Sequence, residues 1–404
     1  MVTQEERSKF RILWHSVSPH IRSGYGNVTR QVLTRLKEYG YDVFVSAYYG
    51  IEPGGVLLIN NIPCMPAKHG RFGEISCIHF YKTLKANLGV LHSDPWAFDW
   101  FSGKLPSTLC YGPLDHVQYP EEIQNIMRGY TYRVSPSYFQ QKEWDSYNPP
   151  VHFDVIYHGC DTKIFFPMDK SEAKKMIGLS DDLFVFGGVF ANSDKENRKG
   201  ITQTARALEI FFDNNKDLKK KDFRYFIFSN PIDQRGLQLE LFLKKHGLRE
   251  ISILQNPLLF ETGIKEQELC TIYNSFDLQL YNSYREGFGI PILEGMSCGV
   301  PSMVTNFSSM PELVEGRGWI VEPMTREHPT PINALTAIPD PYKIAEALED
   351  AYFDDKKRAK YSRESRKFAL QNDWDDIVRD KWLPLLDSIL EESKPKPVED
   401  RKIA

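Results

Sequence analysis

A short apolar strand followed by a helical stretch recurs along this chain, breaks off across 160–182, and then starts again. That rhythm limits the fold more than any other feature. Two parallel strands can be joined only by a crossover long enough to hold a helix, so the alternation predicts a doubly wound α/β sheet in each half. In the first half the expected strands are FRILWHS (10–16), YDVFVSAYY, and the segments at 88–93, 108–112, 131–135 and 153–159. The helix after the first strand sets Val28, Val32, Leu36 and Tyr39 on one face and ends at Gly40. The stretch 160–182 carries a proline and many charges and reads as a connection between domains. Beyond it, LFVFGGVF, FRYFIFSN, ISILQNP, LQLYNS and PSMVTN are strands. At 404 residues the chain exceeds one ordinary core. Two domains are therefore expected, 1–160 and 161–372, with a flexible tail over 393–404, where apolar residues are few.

The composition narrows the function classes. With 41% hydrophobic and 26% charged residues the chain is of ordinary globular type, and its net charge of −4 gives no basis for broad binding to nucleic acid or acidic membranes. The first residues lack an apolar run after a basic start, and no stretch is apolar enough to span a membrane. The six cysteines form no CxxC pair and read as reduced, structural residues of a cytoplasmic protein. The ten histidines show no close ligand spacing, so no metal site is expected.

The chemistry concentrates in NSYREGFGIPILEGMSCGVPSMVTNFSSMPELVE (282–315). A strand ending at Ser283 meets a glycine-broken turn and then a helix. Unpaired amides at such a helix start favour an anion, whereas Glu286 and Glu294 at the same place call for hydroxyl donors. A ligand both anionic and hydroxyl-rich reconciles the two. A Glu-x7-Glu spacing alone is common, but its register with the GFG turn, GVP (299–301) and PELV (311–314) is specific. The stretch closely resembles the signature of family 4 glycosyltransferases. These are retaining enzymes of the GT-B fold, in which two doubly wound Rossmann-like α/β domains face each other across a cleft. The resemblance implies that Glu286 meets hydroxyls of the transferred sugar and Glu294 those of the nucleotide ribose. It also implies that the amides of Gly287, Phe288 and Gly289 serve the sugar, and that of Ile290 the phosphates.

Further segments take roles from the same resemblance. FGGVFANSDKENRKGI (186–201) supplies Lys199, matching the family's diphosphate lysine, and Arg198. The family's earlier arginine is missing, because Val189, Phe190, Ala191 and Asn192 stand after the strand. In SGYGN (23–27), Gly24 and Gly26 lack the third glycine of a dinucleotide fingerprint, which disfavours a nicotinamide dehydrogenase. The resemblance makes them a donor-facing loop. In CYGPLDHVQYPEEI (110–123), Asp115 is the first candidate to contact the sugar and His116 the second. Trp96, in DPWAFDWF with Trp100, is a candidate to stack on an acceptor, although core packing fits the pair better. His158 lies in a segment resembling the family's interdomain hinge, and 373–392 resembles the final helix that crosses back to the first domain.

The expected activity is metal-independent, retaining transfer of a hexose from a GDP- or UDP-sugar to a hydroxyl of a glycan, glycolipid or glycoprotein, without a cofactor. Glu286, Lys199, Arg198 and Asp115 are the expected catalytic group, and peripheral membrane contact is compatible with the chain. Two other readings stand beside it. A nucleic-acid base glucosyltransferase would need a basic face, and Lys/Arg and Asp/Glu nearly balance over 1–160. A non-catalytic sugar-nucleotide-binding subunit could keep Glu294 but has little need of Glu286 and Lys199 together.

Overall fold

A computed structural model describes residues 2–394, and the chain divides into two compact units. One takes the chain as far as Gly112, then Asn125–Val134, and everything from Trp374 onward; the other takes Pro113–Gln124 and Ser135–Asp373.

The first unit contains strands β1 (Arg11–Val17), β2 (Asp42–Tyr49), β3 (Leu57–Ile59), β4 (Ile62–Pro66), β5 (Leu88–Leu91), β6 (Thr108–Cys110) and β7 (Tyr132–Ser135). They run in the order β3-β4-β2-β1-β5-β6-β7, parallel except where β3 turns back on β4. Central β1 is buried along all but its first residue, as a strand covered on both faces must be. The helix Gly24–Glu38 buries Val28, Val32 and Leu36, the face expected from their spacing. The last segment is helical over Trp374–Ile377, passes through a π turn at Val378–Trp382 and continues as the helix Leu383–Ser393. Its Trp382 packs against Trp14 and Tyr111, with ring centroids 5.8 and 4.8 Å apart. Arg7 and Tyr41 both donate to Asp387, which ties the two ends of the chain together. Ser393 closes that helix, and the expected tail from 395 lies outside the described residues.

The second unit contains β8 (Asp154–Val155), β9 (Phe184–Val189), β10 (Phe223–Phe228), β11 (Ser252–Leu254), β12 (Leu278–Tyr281), β13 (Ser302–Thr305) and β14 (Trp319–Val321). Its parallel sheet has the order β11-β10-β9-β12-β13-β14. The chain winds outward from β9 through β10 to β11, then returns to place β12 on the other side of β9. That reversal opens a crevice outside the carboxyl ends of β9 and β12, where neighbouring loops diverge. Buried Asp277 pins the opposite end, pairing with Lys170 and Lys174 at 2.9 and 3.0 Å and accepting the Val185 amide.

Sequence periodicity missed two antiparallel hairpins. One joins β3 to β4; the other joins β15 (Pro323–Pro329) to β16 (Leu335–Pro339). β3 is too short to show a period, and β15 is largely exposed and polar, so neither presents the apolar alternation that marks a strand. The expected strand at 153–159 contracts to Asp154–Val155.

Residues 135–160, read from the sequence as part of the first domain, group with the second unit. Glu312 accounts for this physically. Its carboxylate accepts from the amides of Tyr138 and Phe139, at the start of the helix Tyr138–Asp145, and from the Tyr157 hydroxyl. Phe139 also meets Phe307 edge-on at 5.5 Å. Glu312→Gln keeps the shape but removes the charge, and should lower unfolding stability by about 1–3 kcal/mol. Urea titration measures this, and limited proteolysis within 135–160 should quicken in the variant.

Candidate functional site

The crevice above β9 and β12 is built from loops laced to each other. The Tyr284 amide donates to the Arg198 carbonyl at 2.7 Å, and the Arg198 guanidinium donates to the Arg285 carbonyl at 3.1 Å. Gly200 stands at φ +64° as the residue before the helix Ile201–Asn214, and a β-carbon there would lie 1.8 Å from the Asn282 carbonyl oxygen. Any side chain at 200 would push the loops apart. On the other side, the Ser309 hydroxyl donates to the carbonyls of Glu286 and Phe288 at 2.8 Å each, and Ser308 accepts the Glu286 amide. The β15–β16 hairpin contributes Thr336, whose hydroxyl donates to the Tyr284 carbonyl.

This lacing holds buried charges at fixed distances. Lys199 Nζ donates to Glu286 Oε1 at 2.6 Å, and Ser283 donates to the same oxygen at 2.6 Å. Arg198 Nη1 stands 3.4 Å from Glu286 Oε2. Burial alone would raise the Glu286 carboxyl, but Lys199 and Arg198 outweigh it and hold it below the usual carboxylate range. Burial, reinforced by adjacent Arg198, draws the Lys199 ammonium below its ordinary value against the pull of Glu286.

Asp115 joins this cluster. The segment Pro113–Gln124 belongs to the second unit, where Val117 bridges to Leu335 and the Leu114 amide donates to Gln140. Pro113 presses on the glycine turn so closely that a β-carbon at Gly287 would meet it at 2.1 Å. Asp115 lies 2.8 Å from His116 Nδ1 and 3.7 Å from Arg285 Nε. Burial would raise its carboxyl, yet His116, Arg285 and Arg198 together hold it well below the usual range.

The helix Ile290–Ser297 starts at Gly289 without a side-chain cap; Pro291 brings no amide hydrogen, and the Ile292 amide turns back to the Gly289 carbonyl at 2.9 Å. Glu294, one turn further on, is buried and accepts from the Tyr273 hydroxyl at 2.9 Å. Glu286 thus meets two cations, and Glu294 accepts from a phenol. Phe288 packs against the rings of Tyr157 and His158, which places the hinge-like segment against the turn.

Glu286, Lys199, Arg198, Asp115, His116 and the turn Gly287–Gly289 therefore come together in one unit. Gly24, Gly26 and Trp96 belong to the first unit. The glycines stand in the first turn of their helix, capped by Ser23, and not in a loop before it; the Ser23 hydroxyl accepts the Gly26 amide and starts the helix early. Trp96 is half-buried in a 3-10 turn, and Trp100 is buried. Sequence reasoning passed over Arg285, although opposite charges side by side at the end of an apolar strand were the available signal. It also passed over Tyr273, Ser308 and Ser309. Among the described residues, no group of three or more His, Cys, Asp or Glu side chains could hold a metal ion, and no helix is long and apolar enough to cross a membrane. All six cysteines are free and buried.

The depressed carboxyls of Glu286 and Asp115 fix the sign of an acid response. A carboxyl whose folded value is lowered contributes stability above its unfolded value, about 4, and loses it as pH falls through the folded one. The melting temperature should hold from neutral to about pH 5 and fall below about pH 4. In Glu286→Gln the fall should be shallower, which calorimetry across that range would register.

Residues 252–368, which include Glu286 and Glu294, match the family of glycosyl transferases group 1. O-antigen chain mannosyltransferase B of Escherichia coli is 30% identical over 109 residues, 27% of this chain and 26% of that protein. D-inositol 3-phosphate glycosyltransferase of Paenarthrobacter aurescens is 25% identical over 224 residues, 55% of this chain and 48% of its own length. The chain thus spans between a quarter and a half of the length of these relatives. In fold, sucrose-phosphate synthase of Thermosynechococcus elongatus superimposes with a TM-score of 0.76 at 16% identity, covering 95% of this chain and all of that one. The fold is GT-B, and over 252–368 the chain is similar to the glycosyl transferases group 1.

Proposed function

We propose that this chain is a retaining glycosyltransferase that moves a hexose from a GDP- or UDP-sugar to an acceptor hydroxyl in glycan or glycoconjugate synthesis. The observation that carries this reading is the juxtaposition of Glu286 with Lys199 and Arg198 beside an uncapped helix start. Such a site suits a ligand that is anionic at one end and rich in hydroxyls at the other. In this scheme Lys199 and Arg198 turn to the diphosphate, Glu286 accepts from hydroxyls of the sugar, and Glu294 accepts from the ribose. Asp115 contacts the transferred sugar. Gly24, Gly26, His116 and Trp96 keep the donor-side and acceptor-side roles implied by family resemblance.

The bond between the anomeric carbon and the phosphate oxygen breaks as the acceptor oxygen attacks the same face. The leaving diphosphate takes the acceptor's proton, and growing charge on it is stabilised by the fixed cations and amides. No metal is required, so activity should persist in excess chelator; loss restored by magnesium or manganese would overturn that part. The acceptor is a glycan, glycolipid or glycoprotein, and the site of action is cytoplasmic.

Screening nucleotide sugars for thermal stabilisation tests the donor class. With a donor in hand, Lys199→Ala should cut turnover by about a hundredfold or more at saturating donor, the scale for one preorganised transition-state group. Turnover close to that of the unaltered protein would remove the role assigned to Lys199.

The two glutamates should separate. Glu286→Gln should lower transfer about tenfold to a hundredfold, since hydrogen bonds to a charged group contribute about 1.5–3 kcal/mol. It should not weaken affinity for the bare nucleoside diphosphate, which carries no sugar. Glu294→Gln should weaken nucleotide binding itself. Calorimetric titration with the nucleoside diphosphate distinguishes them, and equal losses in both variants would mean the two roles are misassigned.

A further inference from the structure

Arg285 is the residue of the crevice that the proposed reaction leaves unexplained. It follows Tyr284 and precedes Glu286, and only 9% of its surface is exposed. Its Nη2 donates to Glu196 at 3.1 Å, and its Nε stands 3.7 Å from Asp115, beyond hydrogen-bond length. Neither Nε nor Nη1 has a hydrogen-bond partner among the described residues. A guanidinium has five donors in a rigid planar fork, and burying them without acceptors is costly. Buried polar groups of folded proteins are almost always satisfied, so an exception asks for a ligand that supplies the acceptors.

The surroundings say which ligand. Arg198 and Lys199 approach the same turn, so like charges are gathered within two laced loops. Both are already engaged: Lys199 with Glu286, and Arg198 with Glu286 and the Arg285 carbonyl. Arg285 has the open edge. Its partner Glu196 is the more accessible one, with a side chain 36% exposed, and is readily solvated once released. Once Glu196 is released, the Nη1 and Nη2 end of the planar fork fits two oxygens of one phosphate.

We propose that Arg285 binds the sugar-proximal phosphate of the donor's diphosphate through its unpaired Nη1 edge, leaving Glu196 to solvent. The proposal rests on the nucleotide-sugar reading given above. Phosphate recognition at this point places the diphosphate between Arg285 and Lys199, next to the sugar contact of Glu286.

Calorimetric titration of the full chain with GDP, UDP and their monophosphates tests it. The unaltered protein should bind one diphosphate more tightly than its monophosphate. If it binds none, the donor reading itself falls, and this inference with it. Given such binding, Arg285→Gln should weaken the diphosphate by about tenfold to a hundredfold while the monophosphate changes less than about threefold. Arg285→Lys, which keeps the charge but not the fork, should lie between the two and serves where the glutamine variant does not fold. Equal loss for both nucleotides would mean that Arg285 only holds the loops, and no loss would mean it does not meet the donor. Either result overturns the proposal.

Discussion

The buried ion pair between Lys199 and Glu286 is the contact on which the architecture of the crevice depends. It joins the loop after β9 to the loop after β12, the two strands between which the sheet reverses its order. Their side chains are only 13% and 11% exposed, so neither charge has much water to fall back on. Desolvation of such a pair is offset only when the remaining lone pairs are also satisfied, and Ser283 and Arg198 supply those bonds. Removing one partner would strand the other, at a cost of about 3–5 kcal/mol. Gly200 against Asn282, Tyr284 against Arg198 and Ser309 across the turn all keep that distance fixed.

The pair also sets the order in which a ligand can be accommodated. The cations and the carboxylates of Glu286 and Glu196 neutralise each other, which limits repulsion among Arg198, Lys199 and Arg285. Under the proposed reaction, Glu286 can accept from a sugar hydroxyl only as Lys199 finds another anion. The diphosphate is that anion. Recognition of the anionic and hydroxyl parts of the donor is then linked through one ion pair, since whatever draws Lys199 away exposes Glu286.

The central strands of both sheets and the position of the motif were legible in the sequence, because β1, β9 and β12 are short, apolar and followed by helices with clear faces, whereas β3, β4 and β14 were not read. The Glu-x7-Glu register also survived, since a turn and a helix start are local features. Three things were not local. The membership of 135–160 depends on Glu312, which is more than 150 residues away from its partners in sequence. The β15–β16 hairpin has an exposed strand without an apolar period, yet it carries Thr336 to the back of the turn. Arg285 looks like one more surface arginine until Asp115 and Glu196 are brought to it from separate loops.

The same motif presents one carboxylate to cations and the other to a phenol, and this asymmetry has a consequence for specificity. Glu294 is buried and accepts a hydrogen bond from the Tyr273 hydroxyl. Glu286 is already saturated by Lys199, Ser283 and Arg198. A neutral polyol has nothing to exchange with Lys199. The site at Glu286 therefore discriminates, under the proposed function, against uncharged sugars. Under the proposed function this makes the diphosphate the part of the donor that opens the sugar site.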